Sequence, residues 1–174
     1  MIARQLFALL LLALALPAVV SGCGWEPLYA DHETATGDSD LRAVVVAPIP
    51  ERVGQQLEIG LRNSFNPDGT PTKPLYKLNV VLQRSLLDLG IQSQGLGTRG
   101  DVHLVANYQL AEIATGKVLQ TGFIHATDSF DIQANGYSTV VAQDDASRRD
   151  VEEIRREIVS RLTMFMQHKQ AAAS

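Results

Sequence analysis

The chain has 174 residues, 15 Lys and Arg against 19 Asp and Glu, and a single cysteine. A net charge of −4 makes nucleic acid a poor partner and confines any anion site to a local patch. One cysteine excludes an internal disulfide framework, and the length suits one domain with its own core.

Residues 1–18 read MIARQLFALLLLALALPA. Arg4 is the basic start, and Leu6–Leu16 is an apolar run too short to span a bilayer but long enough for the core of an export signal. Pro17 breaks any helix near its end. Val20-Ser21-Gly22-Cys23 then resembles the lipobox of bacterial lipoproteins, with Val where Leu is usual. Small residues at 21 and 22 give a peptidase access to the bond before Cys23, and an exposed thiol can accept a diacylglyceryl group. The plainer alternative is an ordinary signal peptide followed by a free thiol. Residues 1–22 are therefore predicted as a lipoprotein signal peptide, and Cys23 as a lipidated N-terminus. Each buried methylene of its chains contributes roughly 0.8 kcal/mol of membrane affinity. Loss of Arg4, the only charge in residues 1–22, takes the net charge from −4 to −5. By the enteric sorting rule, Gly24 in place of Asp points to the outer membrane. No cofactor is expected beyond the covalent lipid.

Residues 23–40 end in DHETATGDSD, polar and without apolar periodicity, and are predicted as a tether. Residues 41–168 carry the pattern of one domain. Arg42–Pro50 is a β-branched strand ended by Pro48 and Pro50. In Glu51–Phe65, Val53, Leu57, Leu61 and Phe65 recur every four residues, as on one face of a helix, with Gly54 and Gly60 allowing close packing. Asn66–Gly69 makes a turn. Leu75–Leu89 alternates with period two, with Tyr76, Leu78, Val80 and Leu82 on one side. Val102–Leu110 repeats that pattern, and Thr115-Gly116-Lys117 turns it into a strand over Val118–Ile132, where Gly122 suggests a bulge. A last helix runs from Ser138 to His168, its stripe Val140, Ser147, Val151, Ile154, Ile158, Leu162 and Phe165. Residues 169–174 are left as a tail. The order β-α-β-β-β-α predicts an α+β two-layer sandwich: a four-stranded sheet with both helices on one face.

Several short stretches carry a resemblance. Gly22-Cys23-Gly24-Trp25-Glu26-Pro27-Leu28-Tyr29, Thr98-Arg99, Tyr108-Gln109-Leu110, Thr115–Leu119 and Ala142-x-x-Asp145-Ala146-x-Arg148-Arg149 occur in that order. Together they resemble the LPS-assembly lipoprotein family LptE in its alphaproteobacterial form, over most of residues 22–167. The resemblance implies an outer-membrane lipoprotein on the periplasmic side, not an enzyme. Such a protein plugs the β-barrel LptD, supports its assembly and assists insertion of lipopolysaccharide. Arg99, a cationic tip in the glycine-rich stretch 92–100 of a net acidic chain, is a candidate contact for a lipopolysaccharide phosphate or the barrel wall, since Arg pairs with phosphate bidentately; the plainer reading is a solvated loop arginine. The competing class is an auxiliary lipoprotein of an ABC- or MCE-type phospholipid transport system.

Other motifs have plainer readings. Gly95-Leu96-Gly97-Thr98-Arg99-Gly100 matches a dinucleotide fingerprint in letters, but a strand follows where that site needs a helix. It is expected to be a loop. Arg148, Arg149, Arg155, Arg156 and Arg161 interleave with acids at i,i+4 spacing: Asp144/Arg148, Asp145/Arg149, Glu152/Arg156 and Glu157/Arg161. That describes a solvated face better than a phosphate site. Histidines 32, 103, 125 and 168 fall at no metal-ligand spacing, and no nucleophile motif occurs. Trp25 and Tyr29 suit either a membrane interface or packing on the domain.

Overall fold

A computed structural model describes residues 40–91 and 97–172. The predicted signal peptide, Cys23, Trp25, Tyr29, the predicted tether up to residue 39, and residues 92–96 lie outside them.

The described chain is a mixed four-stranded sheet in the order β1-β2-β3-β4, with β1 Val44–Val46, β2 Tyr76–Ile91, β3 Gly97–Glu112 and β4 Val118–Asp131. Helix α1, Arg52–Phe65, joins β1 to β2, and α2, Gly136–Ala171, closes the chain. The predicted architecture is the observed one. β1 runs parallel to β2, so β1-α1-β2 is a crossover unit, whereas β2, β3 and β4 form antiparallel hairpins.

The first predicted strand is much shorter than its β-branched run. Only Val44, Val45 and Val46 pair, opposite Tyr76, Lys77 and Leu78. Residues 40–42 form a helical turn instead, and Pro48 and Pro50 supply no N–H to extend the ladder. α1 buries Val53, Gly54, Leu57, Leu61 and Phe65, the period-four stripe seen in the sequence. A β-carbon at Gly54 would come within 2.6 Å of Ile49, which fixes how closely the helix sits on its preceding loop.

Alternation in the hairpins is as read. Tyr76, Leu78 and Val80 of β2, Val102–Leu110 at even positions of β3, and Ile124, Ala126 and Phe130 of β4 are buried under the helices. The bulge is displaced from its predicted place. Leu110 pairs with Gln120 but Ala111 with Val118, so Leu119 is the extra residue. Gly122 stays in register opposite Tyr108, where its missing side chain makes room for the tyrosine ring. Gly116, at φ 68, adopts the left-handed conformation the turn requires.

α2 starts two residues earlier than predicted, with Asn135 as N-cap accepting from the Tyr137 amide at 3.0 Å, and continues to Ala171. Its buried stripe is Ala146, Ser147, Asp150, Val151, Ile154, Ile158, Leu162 and Met166. Two expected members fall away. Val140 is 55% exposed, because no residue of the helix is buried before Ala146. Phe165 is half-buried, and the fully buried position is Met166, four residues after Leu162.

Candidate functional site

With both helices on one side, the other face of the sheet is left uncovered by any described element. In register across it lie Val81, Asn107 and Phe123; one rung on, Gln83, Val105 and His125; then Ser85, His103 and Thr127. Its centre holds no acid, lysine or arginine and is built from amides, hydroxyls and imidazoles around two exposed apolar side chains, Val81 at 59% and Phe123 at 64%. Two rungs are cross-linked. His103 Nδ1 lies 2.8 Å from Thr127 Oγ1, and Ser129 donates to Asp101 at 2.7 Å.

Arg99 belongs to this face. The sequence places it at a loop tip, but Thr98-Arg99-Gly100 is part of β3, with Arg99 opposite Leu89 on β2 and Asp131 on β4. The ladder continues to Ile91 and Gly97, so residues 97–100 of the glycine-rich stretch belong to the strand. Arg99 is exposed and makes no ion pair among the described residues. It shares the uncovered face with Asp101 and His103, at the end remote from β1. His103 and His125 sit on neighbouring strands, one rung apart, and His103 is engaged with Thr127. No group of three or more His, Cys, Asp or Glu among the described residues could hold a metal ion.

The two edges of the sheet differ. β1 covers β2 only as far as Leu78, through the Ala47 amide on the Leu78 carbonyl at 2.9 Å. Beyond it no described strand pairs with the outer edge of β2, and Leu86 and Leu87 are exposed. The β4 edge is instead guarded by α2. Arg161 donates to the Phe123 carbonyl at 3.1 Å, and Arg149 to that of Ser129 at 3.4 Å. Between them runs a groove of about 1240 Å³, with Thr121–His125 on one wall and Glu153, Arg156, Glu157 and Arg161 on the other.

The α2 arginines do not form a phosphate stripe, because most are already paired. Asp145–Arg149 and Glu157–Arg161 form as read, each at 2.7 Å. The other two predicted pairs are redirected by packing against α1. Asp144 meets Arg52 at 2.5 Å instead of Arg148, which turns to Asp145 at 3.3 Å. Glu152 binds Arg155, whose guanidinium also reaches Ser64 on α1 at 2.6 Å. Arg149 additionally holds Asp128 of β4 at 2.5 Å, and that hydrogen bond keeps the Asp128 carboxyl below its usual range. These cross-element contacts were invisible to local spacing.

The class this defines is a two-layer α+β sandwich with one bare, largely neutral sheet face. Solved structures share the fold along most of their length. A candidate lipoprotein from Caulobacter crescentus matches at TM-score 0.62 and 20% identity, covering 78% of this chain and 98% of that one. A minor lipoprotein from Acinetobacter baumannii matches at 0.52 and 17%, covering 71% and 92%. The rare lipoprotein B from Shewanella oneidensis matches at 0.50 and 10%, covering 75% and 96%. At such identities the likeness establishes the fold. No protein-family model matches the sequence, and no curated protein matches it.

Proposed function

We propose that this chain is a lipid-anchored outer-membrane lipoprotein of the LptE type, acting without enzymatic chemistry as plug and assembly partner of the lipopolysaccharide-translocating barrel LptD. The observation that carries the reading is the conjunction of a lipobox ending at Cys23 with a domain fold shared with bacterial lipoproteins. The surface supports it. Barrel lumens are polar, and both the outer side of α2, laced with ion pairs, and the bare sheet face suit such a lining. Purification from native outer membranes tests it. A co-purifying large β-barrel is expected; an inner-membrane transporter in its place would move the protein to the phospholipid-transport class.

The anchor has its own test. Cys23→Ser should abolish acylation and leave the protein unprocessed or mislocalised. A serine variant still cleaved after Gly22 and still in the outer-membrane fraction without an acyl chain would rule out the lipobox.

Arg99 is the residue we assign to contact with lipopolysaccharide phosphate or the barrel. Arg99→Gln removes the charge without setting a like charge opposite Asp131 on the neighbouring strand. Because the side chain is exposed, melting should shift by no more than the equivalent of about 0.5 kcal/mol. Binding to purified lipopolysaccharide or co-purification with the barrel should weaken. If neither changes at low or moderate salt, Arg99 has no such role.

A further inference from the structure

Asp150 is the one charged residue among the described buried set, 1% exposed, on the inward stripe of α2 between Ala146 and Ile154. Neither carboxylate oxygen has a hydrogen-bond partner of ordinary geometry among the described residues, although the Asp128 amide leans towards it. The charged groups acting on it are Asp128 from β4 and Glu153 and Arg149 from α2. Two of the three repel a carboxylate. The third, Arg149, is already bound to Asp128 and Asp145. A burial this complete, with no partner and acidic neighbours, suits a neutral carboxylic acid and not an anion.

We propose that Asp150 is a protonation-dependent latch between α2 and β4: the N-terminal part of the helix is seated while the carboxyl is neutral and loosens when it ionises. The position in the helix makes the effect local. Upstream of Asp150 only Ala146 and Ser147 of α2 are buried, and residues 136–149 are otherwise held to the sheet mainly by Arg149, through Asp128 and the Ser129 carbonyl at the exposed edge. Burial, followed by the Asp128 and Glu153 charges, pushes the carboxyl up to about 7 from 3.8. The folded value thus lies above the unfolded one. The folded state binds the proton more tightly, so stability falls as pH rises between roughly 4 and 7 and levels off above the folded value. The latch is independent of how the chain is anchored.

The test compares the full chain in detergent with Asp150→Asn, which keeps the shape and removes the titration. Unfolding is followed from pH 5 to pH 8.5. The two proteins should be closest at pH 5, and the asparagine variant should gain on the native protein as pH rises towards 7. At pH 8 the unfolding constant of the asparagine variant should be lower by about tenfold or more, inside the ceiling of roughly 10³ that the shift sets. Amide hydrogen exchange supplies a second reading. Residues 143–152 and 126–130 should lose protection with rising pH in the native protein, relative to the variant at the same pH. A difference in stability that is constant with pH, or an asparagine variant no more stable than the native protein at pH 8, would overturn the latch, as would exchange profiles that match throughout.

Discussion

Ile158→Asp should leave the domain unfolded at room temperature. Ile158 is fully buried in the middle of the α2 stripe, with Ile154 and Leu162 one turn away on either side. α2 packs on β4, β3 and α1 together, so this stripe joins every layer of the core. Truncating such a residue to alanine costs about 2–5 kcal/mol through lost burial and the cavity left behind. An aspartate there adds a charge with no partner, worth several kcal/mol more. The sum approaches the whole stability of a typical domain, about 5–15 kcal/mol. Far-UV circular dichroism of the purified chain should lose the cooperative thermal transition. The paired control is Val140→Asp on the same helix, at an exposed position, which should melt within the range of ordinary surface changes, about 0.5 kcal/mol. Unchanged melting of the Ile158 variant would remove the packing assignment of α2.

That contrast marks how far the sequence is legible. Ile158 and Val140 fit the same helical stripe, and periodicity alone does not separate them. It reports which residues share a face, but not where along a 36-residue helix the sheet begins to cover it. The hairpins were easier, because one face is buried and the other bare, and the period of two survives in the letters. β1 misled in the opposite way. Its β-branched run is longer than the three residues that pair, since partner strand and prolines limit a parallel ladder more than propensity does. The ion pairs divide similarly. Those within one turn of α2 were half right, while Arg52–Asp144, Arg149–Asp128 and Arg155–Ser64 depend on elements meeting in space. Asp150 was missed for a related reason. In a helix crowded with acids and arginines it reads as one more surface charge, and only its place on the inward stripe between Ala146 and Ile154 sets it apart. The lipobox-like stretch Val20–Cys23 is the reverse case, a proposed signal that rests on sequence alone, with Cys23 outside the described residues.

Gly122→Val is the second large effect, and its sign decides between two accounts of the same glycine. By strand propensity, replacing a mid-strand glycine with a β-branched residue should stabilise, since glycine has more backbone freedom to lose and no side chain to pack. Packing gives the opposite sign. A β-carbon at position 122 would lie 2.6 Å from the Tyr108 ring carbon that bears the hydroxyl, and as close to the hydroxyl itself. That ring has no room to retreat. Tyr108 is 3% exposed, directly opposite Gly122 in the ladder, and its hydroxyl helps hold the Arg161 guanidinium that guards the β4 edge. Displacing it strains a filled core and loosens that contact, so we expect a net loss of about 1–3 kcal/mol. For a domain of this size that is a drop in Tm on the order of 5–10 °C. A double-variant cycle isolates the cause. With Tyr108→Ala in place the clash is gone, so adding Gly122→Val should cost little or should stabilise, as propensity alone demands. A Gly122→Val protein as stable as the native one would mean that the tyrosine moves freely and that the glycine is no more than a tolerated weak point of β4.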